Sequence, residues 1–107
     1  MANNYKNSKV DLTTTNITTL YTVPSATQAI VKSILVSNDS GSDDTITLTI
    51  TDSASAVFSV YKLEEVGAVS TKELLSQPLV VMESEILKVT AATAGRLHVV
   101  ASYLEIS

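Results

Sequence analysis

The stretch Thr45–Thr51, TITLTIT, decides the fold class of this chain. Ile46, Leu48 and Ile50 fall on one side of an extended backbone, and Thr45, Thr47, Thr49 and Thr51 on the other. Alternation with period two is the mark of a strand with one buried and one wet face. Before it lies Asn38–Asp44, NDSGSDD, a cluster of turn formers. Before that stands a second strand, Gln28–Ser37, QAIVKSILVS. Together the three segments predict a β-hairpin.

Working outward, further strands are expected at Ile17–Val23, Ala56–Glu64, Leu79–Met82, Glu85–Thr90 and Arg96–Ile106, with a weaker one over Lys9–Thr14. Ser70–Gln77 is ambiguous. Ser70 and Glu73 have capping-box spacing for a short helical turn that Pro78 would stop, and an edge strand fits equally well. About seven or eight short strands separated by turn signals predict an all-β protein, an antiparallel jelly-roll-like β-sandwich. Residues 17–107 form its single domain, and residues 1–16 a polar N-terminal arm or first edge strand.

Composition agrees. Ser and Thr supply 28 of the 107 residues, and Thr, Val and Ile together 34, a strand-forming bias. Hydrophobic residues reach 45% against 17% charged, which excludes a disordered chain. With no cysteine there is no disulfide framework, thiolate zinc site or thiol nucleophile. The net charge of −4 includes no basic stripe, so no nucleic-acid partner is expected. No apolar run is long enough to span a membrane. The polar start MANNYKNSKVDLTTTN is unlike a secretory signal, so the acceptor patterns at Asn16 and Asn38 are expected to stay unglycosylated.

A search for chemistry yields little. His98, the sole histidine, sits inside a strand without a nucleophile and orienting partner recognisable from sequence. Ser59 and Lys62 have SxxK spacing, but that pattern needs a helix, and on a strand the odd offset sends them to opposite faces. Asp39, Asp43 and Asp44 crowd one turn without EF-hand spacing and read as a solvated hairpin tip. Glu83 and Glu85 read as exposed carboxylates at a strand entrance. No catalytic, cofactor or metal residue is assigned, and an enzyme is not expected.

The strand faces say more. In Arg96–Ile106, Leu97, Val99, Ala101 and Tyr103 share one face, yet Val100, Leu104 and Ile106 make the other apolar too. Gln28–Ser37 behaves alike, with Ile30, Ile34 and Val36 set against Ala29, Val31 and Leu35. A sheet with a wet face alternates more cleanly. Either a loop of the same chain covers the outer face, or another subunit does; the second reading predicts a homo-oligomer. Tyr5, Tyr21, Tyr61 and Tyr103 join Val100, Leu104 and Ile106 as candidate interface residues, because tyrosine combines apolar area with a polar tip.

Leu20-Tyr21-Thr22-Val23-Pro24, then Ala29–Asn38, then TITLTITD, and the closing Leu97–Ile106 resemble small virion structural proteins of tailed bacteriophages, particularly marine ones. The resemblance covers nearly the whole chain. It implies a non-enzymatic β-sandwich carried on the virion, made in the host cytoplasm and partnered by the major capsid protein or other virion proteins. Such proteins commonly decorate and cement the capsid, often as trimers. Others of this size serve in the tail, neck or fibre attachment. A glycan-binding module is a further alternative, disfavoured by the scarcity of aromatic residues. On this reading residues 1–16 become an arm that adds a strand to a neighbour's edge.

Overall fold

A computed structural model describes residues 3–107 as nine strands and no helix. They are β1 (Asn3–Asp11), β2 (Thr18–Thr22), β3 (Gln28–Asn38), β4 (Asp44–Thr51), β5 (Val57–Val66), β6 (Ser70–Glu73), β7 (Leu79–Val81), β8 (Ile86–Ala91) and β9 (Leu97–Ile106). One sheet runs β1-β9-β3-β6, with β7 pairing the other half of β3; the second runs β2-β8-β4-β5. All pairs are antiparallel. Most connections change sheet, which is the winding of a jelly roll. The accessible surface of 5,727 Å² matches the roughly 5,800 Å² expected of a folded monomer of this mass.

Between the sheets lies one core, built from alternate residues of each strand. Ala29, Val31, Ile34 and Val36 of β3 and Leu97, Val99 and Ala101 of β9 face Ile46 and Leu48 of β4 and Leu87 and Val89 of β8, all buried. The TITLTIT alternation holds from Thr45 to Thr49 and breaks at the strand end, where Ile50 is only partly buried and Thr51 is buried.

Its predicted partner does not. Gln28–Ser37 and Thr45–Thr51 form no hairpin, because β3 and β4 belong to different sheets. The NDSGSDD segment is an arch between layers, fixed by a buried asparagine. Asn38 donates through Nδ2 to the carbonyls of Ser42 (2.8 Å) and Val66 (3.1 Å), and its Oδ1 accepts from the Ser40 amide at 3.0 Å. Of its acids, Asp39 and Asp43 are exposed as expected of a solvated segment, and Asp44 is not. Asp44 is buried and accepts from the Thr45 (2.8 Å) and Thr93 (3.1 Å) amides, while Asp43 accepts from the Ala68 amide at 2.9 Å. The hairpin partner of β4 is β5, through a turn in which Asp52 Oδ1 accepts from the amides of Ala54 and Ala56, each at 2.9 Å.

A second correction concerns β3. Its register against β9 shifts between Val31 and Ser33, so Lys32 is the extra residue of a β-bulge. The bulge resets the parity. Ile34 and Val36 share the core face with Ala29 and Val31, and Leu35 joins Ile30 outside. At the bulge β6 gives way to β7 as the neighbour of β3, and Glu73 fills the gap. Its carboxylate accepts from the Ser33 hydroxyl, the Ile34 amide (2.7 Å) and the Leu75 amide (3.2 Å).

Ser70–Gln77 contains no helical turn; its first half is the edge strand β6. The N-terminal strand lies earlier than Lys9–Thr14. Asn3–Asp11 pairs with β9 of the same chain along its whole length, and the rest of the expected arm, residues 1–2, lies outside the described residues. The β8–β9 connection turns at Gly95, whose φ of +78° is the left-handed region that favours glycine.

Candidate functional site

Directly opposed residues of an antiparallel pair share a face, so the register reads out the outer surface of the first sheet row by row. One row is Tyr5–Leu104–Ile30–Val80, across β1, β9, β3 and β7. The next holds Asn7, Ser102 and Ser33. After it comes Lys9–Val100–Leu35–Glu73, across β1, β9, β3 and β6. At one end Ile106 lies between Asn3 and Gln28; at the other His98 lies between Asp11 and Ser37. Tyr5 is 77%, Val80 54% and Leu35 42% exposed, and Ile30, Val100, Leu104 and Ile106 are half-buried. Among the described residues no loop covers these rows fully.

The outer face of the second sheet is different. Its rows are Thr47–Thr90, Thr19–Lys88–Thr49–Ser59 and Thr22–Ile86–Thr51–Val57. Hydroxyls dominate along its central strands, while the edge strand β5 leaves Val57, Phe58 and Leu63 exposed and Thr51 is buried. The two outer sides therefore differ in composition, the first aliphatic along β9 and β3 and the second threonine-rich along β4 and β8.

Four of the sequence candidates, Tyr5, Val100, Leu104 and Ile106, meet on the apolar face. The other three tyrosines do not. Tyr61 is half-buried on β5 opposite Leu48 and packs against the core. Tyr21 and Tyr103 are buried, with ring centroids 4.0 Å apart and planes tilted by 33°. Their hydroxyls end in a polar network beneath β1. Tyr21 donates to Glu105 Oε2 (2.6 Å), Lys6 Nζ pairs with Glu105 Oε1 (2.9 Å), and Tyr103 shares a hydrogen bond with Ser8 (2.8 Å).

Electrostatics there follow from contact and burial. Lys6 and then the Tyr21 hydroxyl hold the Glu105 carboxyl below its usual range, against the opposing effect of burial. Burial first, and the carboxylate second, push the Tyr21 phenol upward. The Lys6 ammonium is raised by its bond to Glu105. Every member is engaged, which is the pattern of a structural network.

The face residues missed from sequence are Ile30, Leu35 and Val80, with Lys9 and Glu73 at the flanks. A bulge conceals the first two, and no local signal marked Val80. His98 lies between two carboxylates, with Nε2 3.2 Å from Asp11 and Nδ1 3.7 Å from Asp39, and Ser37 is its cross-strand neighbour on β3. No group of three metal-ligating side chains is assembled among the described residues.

Fold and surface together define an all-β jelly-roll sandwich with one apolar outer sheet face. Comparison with protein-family models, with curated proteins and with solved structures finds no significant match to this chain.

Proposed function

We propose that this chain is a non-enzymatic structural component of a tailed-phage particle, a capsid decoration protein that attaches to the assembled shell and to copies of itself. The observation carrying the reading is the contrast between the two outer faces. Two apolar rows on one face of so small a protein, separated by the row Asn7–Ser102–Ser33, suit an interaction site. Its side chains are aliphatic, aromatic and hydroxyl groups, which suit attachment. Jelly-roll sandwiches serve in viral capsids as well as lectins. Since fold alone does not choose between such roles, the resemblance of the LYTVP, AIVKSILVSN and closing-strand segments to phage virion proteins supports the particle. Mechanically, each contact is modest and the particle multiplies it, because tethered neighbours raise one another's effective concentration.

The test is quantitative mass spectrometry of purified particles from the phage that encodes the chain. On the order of hundreds of copies per particle fits decoration, where many weak sites act together. About a dozen copies moves the protein to the tail, neck or fibre attachment and overturns decoration. Absence from the particle overturns the reading altogether.

A further inference from the structure

We infer that the apolar outer face of the β1-β9-β3 sheet is an isologous interface between two copies of this chain, packed face to face about a two-fold axis running along the strands. The inference rests on the reading above only in using the same face, and it names the occupant as a second copy. Such an axis keeps each cross-strand row at its own height and reverses its order. In the row Lys9–Val100–Leu35–Glu73, Val100 then lies over the second copy's Leu35, and Lys9 over its Glu73. In the row Tyr5–Leu104–Ile30–Val80, Leu104 lies over Ile30, and Tyr5 over Val80. The intervening row sets Ser102 over Ser33. In the two apolar rows apolar groups meet apolar groups and each Lys9 meets a carboxylate; the middle row pairs hydroxyls but also carries the exposed Lys32, and beyond them Ile106 lies over Gln28.

A two-fold axis running across the strands also brings the sheets face to face. It also matches aliphatic centres, but it sets Val80 against Glu73 and Tyr5 against Lys9. Charge complementarity therefore selects the first arrangement. The acceptor is also preorganised, because the Glu73 carboxylate is held by the Ser33 hydroxyl and the Ile34 amide.

Size sets the expected strength. Rows from Asn3 to Asp11 span about 27 Å and the strands about 19 Å, a footprint of about 500 Å² per copy. The pair buries about 1,000 Å², the lower limit for specific association, so dissociation in the micromolar range is expected. A contact of this type closes at two copies. The trimer that the phage resemblance implies needs a different surface.

Sedimentation of the full chain across a dilution series from about 1 μM to 1 mM tests the inference, with Leu104→Asp and Lys9→Glu as variants. The wild type is expected to pass from the 11.4 kDa monomer to twice that mass. Leu104→Asp places a carboxylate in the centre of the face and is expected to weaken association at least about a hundredfold. Its circular dichroism should stay that of the wild type, with at most a lower melting temperature, because Leu104 is partly buried on the outer face and lies outside the core. Lys9→Glu is expected to weaken association roughly tenfold and to reverse its salt dependence: salt screens attraction in the wild type and repulsion from Glu73 in the variant. A monomer at the highest concentration, a trimer, or a dimer indifferent to Leu104→Asp overturns the inference. A dimer whose salt dependence keeps its sign in Lys9→Glu overturns the along-strand arrangement. Decoration would survive any of these failures, since it is read from copy number on particles.

Discussion

Glu105 serves two elements at once, anchoring Tyr21 of the second sheet and Lys6 of β1. Its lowered pKa makes it a source of pH-dependent stability with a definite sign. A carboxyl whose folded pKa lies below the unfolded value of about 4.3 stabilises above that pH and loses the contribution as pH falls through the folded pKa. Thermal melts should show a steep acid limb below about pH 4, and Glu105→Gln should flatten it. The same variant should lower stability at neutral pH by about 1–3 kcal/mol, the range for hydrogen bonds to charged groups. A variant melting as steeply with acid as the wild type would contradict this role. Val69 is a second residue with a clear expectation. Its φ of +51° is strained for a β-branched residue, and at 76% exposure it has little packing to lose. Val69→Gly should raise the melting temperature by a few degrees, for a net gain of up to about 1 kcal/mol after the entropy of glycine is counted. An unchanged or lowered midpoint would show the strain to be compensated elsewhere. Tyr21 and Tyr103 mark a limit of sequence reading at this scale. Amphipathic character made them surface candidates, but their burial depends on partners distant in sequence, such as Glu105.

Among the elements, β3 carries the most consequence, because its bulge decides which side of the sheet is greasy. Removing Lys32 should leave a regular strand in which Ser33 still opposes Ser102 and Ile34 still opposes Ala101, with Ile34 in the core and Leu35 outside. A cooperative unfolding transition should therefore survive both the deletion and Lys32→Ala, and its loss in the deletion alone would contradict this reading of the bulge. Glu73→Ala tests the gap-filling contact, since it leaves the amide of buried Ile34 without its acceptor. A loss of about 2 kcal/mol by chemical denaturation is expected, and a neutral result would mean that water replaces the carboxylate. These features explain what was legible. TITLTIT revealed itself because a straight strand with one wet face needs only local alternation. Its partner did not, since NDSGSDD makes an equally good hairpin turn or arch, and the choice is settled by Asn38 reaching Val66 of β5. The bulge stayed hidden because the residue filling its gap, Glu73, lies on another strand. Val100, Leu104 and Ile106 were readable because β9 has no register shift along its apolar outer side.

For the whole molecule, the difference between the two outer faces is the property on which the proposed attachment rests. A monomer working alone in water gains nothing from leaving Tyr5, Leu35 and Val80 uncovered. An assembled component gains adhesion while its threonine face stays wet. The most direct measurement is add-back to purified particles that lack the chain, comparing wild type with Leu104→Asp at equal concentration by particle-bound occupancy. The wild type is predicted to saturate the particle, and the folded variant to remain in solution. Equal occupancy by both proteins would contradict the assignment of the apolar face as the surface through which copies join on the particle.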